Sequence, residues 1–230
     1  NTTVEYQKSG SESTAGLHNN SSRIGFMGTE DLGGGLKAGF VLESGFSSDT
    51  GAGGTSGGMA FNRGSEVNLS GNFGQIRLGH WTPSSYFATA DYISMHNHDT
   101  GSSADAFYHY VSNDAKSPSY LSNAIAYKTP TFGGFNVEVA TGLHEKNPSQ
   151  FGSKNLYDVA ANYENGPLAL GAGYTKRGDS EQYAIRGFYK IGSSFLLGGY
   201  VQRSKNMGFD QVFADNTGTR NAYRLSGAYL

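Results

Sequence analysis

Apolar and polar residues alternate with a period of two along most of this chain. Leu36, Ala38, Phe40 and Leu42 fall on one side, with Lys37, Gly39, Val41 and Glu43 on the other. The same rhythm returns through Phe135, Val137 and Val139, through Tyr157, Val159 and Ala161, and through Tyr223, Leu225 and Tyr229. Each run predicts a half-buried strand. The breaks between runs come in two alternating kinds. Short ones carry Gly or Asn: Gly33–Gly35, Gly71–Gly74, Phe132–Gly134, Glu164–Gly166 and Lys190–Gly192. Long polar ones lie between them: Ser47–Gly58, Pro83–Ser119, His144–Lys154 and Ser204–Thr219. The pattern predicts about twelve strands, the first over Thr2–Lys8.

The two faces differ in chemistry. One carries Ile24, Phe26, Phe40, Leu42, Ile76, Leu78, Val139, Leu170, Ile185, Leu197 and Leu225, and is nearly free of charge. The other carries Arg23, Lys37, Glu43, Arg77, Glu138, Asp158, Arg186 and Arg224, with Gly and Ser between. A soluble sandwich would bury the apolar face in its core. A transmembrane antiparallel barrel would turn it to lipid, with short turns on one rim and long loops on the other. The tyrosines favour the barrel. Tyr163, Tyr174, Tyr189 and Tyr229 stand at strand ends on the apolar face, where a barrel wears its aromatic girdle.

Composition agrees with this all-β reading. Among 230 residues there are 34 Gly, 15 Tyr and 14 Phe, and charged residues make up 16%. Mean hydropathy is −0.46, and no stretch approaches the roughly 20 apolar residues a membrane helix needs. Alternation keeps a barrel's average polar, so that value excludes only helical spans. The absence of cysteine excludes disulfides and thiolate metal sites. A net charge of −2 argues against non-specific nucleic-acid binding. No secretory signal stands at Asn1, so an exported protein would be represented here in mature or trimmed form. Residues 1–230 read as a single barrel domain.

Four segments carry a family likeness: SRIGFMGTEDLGGGLKA at Ser22–Ala38, VNLSGNFGQIRLG at Val67–Gly79, YKTPTFGGF at Tyr127–Phe135 and YENGPL at Tyr163–Leu168. Together they resemble the trimeric general porins of Gram-negative bacteria, nearest to those of β-proteobacteria, the neisserial ones included. Beyond Leu170 only the strand rhythm continues. The resemblance implies a sixteen-stranded barrel, a homotrimer, and a third extracellular loop folded into the lumen. The family's opening strand is represented only from Val4, and the chain stops within a strand at Leu230. At about nineteen residues per strand and connection, sixteen strands need on the order of 300 residues, so the last few strands are expected to be missing. A complete twelve-stranded barrel is the competing reading.

The expected working parts follow. Pro83–Ser119 is too long for a plain connection, which favours a functional role. By resemblance it is the inward-folded constriction loop, with Asp91, Asp99, Asp105, Asp114 and Lys116 along it. Arg23 and Arg77 would face it by alternation, and Arg63 by family position. Strict alternation sets Arg63 beside Val67 on the apolar face, so a bulge at Gly64 would be needed to turn it inward. Lys37, Glu43, Glu138, Arg186 and Arg224 would line the lumen elsewhere. Opposed acidic and basic groups across a narrow aqueous passage select ions. The related porins often place an arginine where Tyr120 stands, which softens the expected anion preference to weak or moderate.

The resulting expectation is an outer-membrane diffusion channel for ions and small hydrophilic solutes, without cofactor, catalytic residue or metal. Its partners would be two further copies, held through the early strands and Ser47–Gly58, together with the lipid bilayer and lipopolysaccharide. A channel specific for a sugar or an anion is the alternative within the class. Outside it stands a barrel enzyme, for which His96, His98 and His109 are the candidate groups.

Overall fold

The computed structural model describes residues 2–19, 21–53, 60–91, 120–144, 154–206 and 218–230. A two-stranded sheet comes first, made of β1 (Thr2–Ser9) and β2 (Glu12–Asn19). Next come β3 (Arg23–Gly33), β4 (Leu36–Gly45), β5 (Gly64–Gly71) and β6 (Gly74–Trp81). A six-residue helix, α1 (Ser84–Thr89), opens the longest connection. The remaining strands are β7 (Leu121–Lys128), β8 (Phe135–Gly142), β9 (Leu156–Asn165), β10 (Leu168–Arg177), β11 (Ser180–Ile191), β12 (Phe195–Lys205) and β13 (Thr219–Tyr229). Strands β3 to β13 form one eleven-stranded sheet in which each pairs antiparallel with its sequence neighbours. Among the described residues β3 and β13 are its two edges. No described helix is long and apolar enough to cross a membrane.

Strand ends fall where the turn chemistry set them. Between β3 and β4, Gly33, Gly34 and Gly35 take φ of 84°, 62° and 83°, a left-handed path that any Cβ would resist. The Asp31 carboxylate accepts the Gly33 amide at 2.9 Å and closes that turn. One strand escaped the periodicity. The sequence predicts about twelve strands, and the described residues contain thirteen, because Glu12–Asn19 folds back on β1 through Gly10. Its short polar run of Ser, Thr and Gly gives alternation little to show.

The apolar face is the exposed one. Phe26, Phe40 and Val139 are 51%, 42% and 46% exposed, which excludes a sandwich core. Opposite them, the polar face is the concave interior. Small side chains dominate it, with Ala124, Ala126 and Ala140 packing beside Trp81, Leu121 and Leu156. Helix α1 lies on this inner face against β9, β10 and β11. Two glycines of β10 make room for it. A Cβ on Gly171 would strike the Ala88 carbonyl, and one on Gly173 would stand 2.8 Å from Ser85 Cβ. Tyr86 and Ala90 complete the contact against Ala184 and Tyr200.

Candidate functional site

Charge on the inner face is gathered into three groups. The first lies near the loop rim, where β3, β4 and β5 meet β7. Arg23 opens β3 opposite Gly45, and a Cβ at Gly45 would stand 3.3 Å from the Arg63 side chain. Arg63 Nε donates to Glu43 Oε1 at 2.7 Å. Its backbone amide bonds the Glu43 carbonyl, while Gly64 is the register partner of the same Glu43. Two residues thus stand opposite one, which interrupts the alternation and brings Arg63 to the side of Glu43. Tyr120 stacks on His80 with ring centroids 4.9 Å apart. Burial raises the Tyr120 phenol above its ordinary range, while the Arg63 charge pulls it down and Glu43 pushes it up. His80 is held by Ser122 Oγ at 2.9 Å and the Asn62 carbonyl at 3.0 Å. The region is therefore a packed cluster of two arginines and one glutamate.

The second group centres on Arg77 of β6. Its Nη1 donates to Glu66 Oε2 at 3.0 Å, and its Nη2 donates to Glu138 Oε1 at 2.5 Å. The same Nη2 reaches Ser84 Oγ at 2.7 Å, tying the start of α1 to the wall. The guanidinium also lies over the Trp81 ring, 4.3 Å from its centroid. One arginine here faces two carboxylates, so the group carries a net negative charge. Below the helix a cavity of about 250 Å³ opens beside Arg77, Ser84, Lys128, Asn136 and Glu138.

The third group anchors the helix. Asp158 of β9 accepts the Ser85 amide at 3.1 Å and Thr175 Oγ1 at 2.8 Å, and the Ser85 hydroxyl also donates to it. Asp158 is 1% exposed, so these donors replace its water. The amide it captures is one of those a helix start leaves without an intrahelical acceptor. At the far end of α1, Arg186 Nη1 reaches the Asp91 carbonyl at 3.5 Å, and the two side chains attract one another.

The other expected positions scatter. Lys37 is exposed at the short-turn rim, with Asp31 and Ser70 as register partners. Arg224 of β13 donates to Ser226 Oγ at 3.2 Å, opposite Tyr200. Asp99, Asp105, Asp114 and Lys116, like His96, His98 and His109, lie outside the described residues. No group of three His, Cys, Asp or Glu among the described residues could hold a metal ion. Two participants escaped the sequence reading of the site. Glu66 was within reach, since it alternates with Val67 and so shares the face of Asn68 and Arg77. The Asp158–Ser85–Thr175 anchor joins positions up to 90 residues apart and left no local signal.

Residues 1–230 match the Gram-negative porin family. The chain belongs to the Gram-negative porins. Outer membrane porin protein 32 of Delftia acidovorans is 33% identical over 206 residues, covering 80% of this chain and 54% of the relative. The major outer membrane protein P.IB of Neisseria gonorrhoeae is 32% identical over 191 residues, covering 78% of this chain and 51% of the relative. Among solved structures, an anion-selective porin from Comamonas acidovorans superposes with a TM-score of 0.76 at 30% identity, over 98% of this chain and 70% of that one. An engineered Rh. blastica porin, 17% identical with a TM-score of 0.60 over 99% of this chain and 80% of that one, shares the fold. This porin is an outer-membrane protein with a β-barrel fold, and it spans about half the length of the curated relatives it matches.

Proposed function

We propose that this porin forms a passive aqueous path for ions and small hydrophilic solutes, with a weak to moderate preference for anions. The observation that carries the proposal is the division of the sheet. Its outer face is apolar, and its inner face bears charged clusters narrowed by a helix that crosses it. Arg23, Arg63 and Glu43 leave a net positive patch, and an arginine keeps its charge at any working pH. Arg77 offers less, because Glu66 and Glu138 both hold it. The preference is therefore modest, set mainly by the first cluster. The loop from Pro83 is its constriction, with Asp91 on the opposing side. The anion selectivity in the name of the Comamonas relative supports the sign.

Replacing Arg23 by Glu tests this directly. In a salt gradient the zero-current potential should move toward cation preference with little loss of conductance. The shift should grow at low salt, where screening reaches less far. An unchanged potential at low salt would take Arg23 out of the selective zone.

The assembly we propose is a homotrimer joined through the early strands and the Ser47–Gly58 loop. Asn19 of β2 accepts the Ser48 amide at 3.3 Å and its hydroxyl at 3.0 Å, so the loop's first residues are braced against the leading hairpin. Mild detergent extraction without heating should give a band of three chains. A monomer under those conditions would overturn this part.

A further inference from the structure

The cavity beneath helix α1 is lined by polar groups that the fold leaves unused. Lys128 of β7 and Glu138 of β8 are direct register partners, which sets them roughly 5 Å apart at Cα. They form no ion pair with one another. Glu138 turns instead toward Arg77 and Ser84, and both of those bonds fall on its Oε1. Its Oε2 receives no bond from a described residue, and Lys128 forms no ion pair with one. A half-used carboxylate and an unpaired ammonium therefore wall the same cavity. One row nearer the short-turn rim, Asn136 and Asn162 face each other across β8 and β9. Asn136 Oδ1 is buried there without a donor among the described residues. Gln75, the register partner of Lys128 on its other side, completes the wall.

The roof is apolar. Phe87 of α1 lines the cavity and is 52% exposed, although the face of the sheet it stands over is polar. Its neighbour Tyr86 is buried against the wall and meets the Phe87 ring edge-on, with centroids 5.4 Å apart, so the ring is held in place. An aromatic ring presented over charges of both signs suits a solute that carries both signs and an apolar part. Charge decides against simpler solutes. Arg77 with Glu66 and Glu138 carries one net negative charge, and Lys128 brings the wall to neutral. A lone anion leaves Glu138 unanswered, a lone cation leaves Lys128 unanswered, and a sugar leaves both. A molecule with an ammonium and a carboxylate on one carbon answers the two together. The volume, about 250 Å³, admits only a small one, since pockets for drug-sized ligands begin near roughly 300 Å³.

We propose that this cavity binds a free α-amino acid with an apolar side chain as it passes along the barrel interior. Lys128 donates to its carboxylate, Glu138 Oε2 accepts from its ammonium, the amides of Asn136 and Asn162 flank both, and Phe87 covers its side chain. Affinity is low, because a site on a conducting path must release what it holds. The inference rests on the channel reading, which brings the solute to the cavity. Binding is measured in detergent and conductance in plain potassium chloride across a bilayer, so the two readings fail separately.

Ligand-observed NMR titration of the detergent-solubilised protein with L-phenylalanine tests it. Hydrocinnamate, which lacks the ammonium, and phenethylamine, which lacks the carboxylate, serve as the two comparison arms. A hydrogen bond to a charged group is worth roughly tenfold or more in affinity, so each analogue should bind about tenfold more weakly. K128Q should lose about tenfold for L-phenylalanine while binding phenethylamine like the parent, which also reports a folded site. E138Q should lose as much for L-phenylalanine and bind hydrocinnamate no more weakly than the parent does. F87A should weaken all three ligands. L-phenylalanine binding no tighter than hydrocinnamate or phenethylamine would overturn the proposal, as would its displacement by glucose at equal concentration. Parental affinity of K128Q for L-phenylalanine, or an equal loss for all three ligands, would overturn the contact to the carboxylate.

Discussion

Replacing Asp158 by Leu should release helix α1 from the barrel wall and turn a steady conductance into a noisy, voltage-sensitive one. The carboxylate is fully buried and accepts from the Ser85 amide, the Ser85 hydroxyl and the Thr175 hydroxyl. Leucine fills similar space and accepts nothing. It leaves those donors facing an apolar group, at about 1–3 kcal/mol for each buried donor that finds no water. Relief comes from the helix lifting away, since the strands on either side are locked in their ladders. The expected local cost is about 3–5 kcal/mol, concentrated in the loop and sparing the sheet. Asp158→Asn keeps one acceptor oxygen for the Ser85 amide and should show a smaller effect of the same kind. Planar-bilayer recordings check the conductance. Unheated gel mobility checks that the barrel still forms. Protease cleavage within residues 83–119, faster in Asp158→Leu than in the parent, would locate the change in the loop. A quiet, parent-like channel would show that α1 is held by its packing on Gly171 and Gly173 alone.

That prediction could not have been written from the sequence. The eleven-stranded sheet was legible because period two survives any tertiary context: Phe40 and Leu42 must share a face whatever they pack against. The apolar side had to face lipid or a core, and the tyrosines at the strand ends tipped the choice. Helix α1 left no comparable trace. Its Ser-Ser-Tyr-Phe-Ala-Thr run has no side-chain N-cap, and six residues cannot hold a helix in isolation. Its hold comes from Asp158, Gly171 and Gly173, whose roles need the register of β9 and β10 to be known. Arg63 shows the same limit on a smaller scale. Counting by two sends it to the lipid side, and only the paired positions of Arg63 and Gly64 opposite Glu43 reverse that count. Arg77 was readable as an inward residue but not as a compensated one. Its two carboxylates come from β5 and β8, and neither lies beside it in the chain.

The compensation of Arg77 has a measurable consequence for selectivity. Glu66 and Glu138 are both held close to its guanidinium and little exposed, at 11% and 7% of their side-chain area. Changing both to Gln keeps an acceptor oxygen at each position, so the arginine stays hydrogen-bonded and the wall keeps its shape. Two negative charges disappear from around Arg77 without a single cation being added. Arg77 then stops serving as their counter-ion and joins Arg23 and Arg63 as a net attractor of anions. Charges set close together in a confined lumen act on the same passing ion. We therefore expect the double variant to shift the zero-current potential toward anion preference by more than either single change. The shift should shrink as salt rises and screening shortens the reach of each charge. Conductance should hold, because the side chains are isosteric. The same double change in an Arg77→Gln background separates the two sources of the effect. With the arginine gone, removing the carboxylates should leave the zone near neutral, and the strong anion preference should vanish. A triple variant as anion-preferring as the Glu66→Gln/Glu138→Gln double variant would mean that the arginine never shared the field.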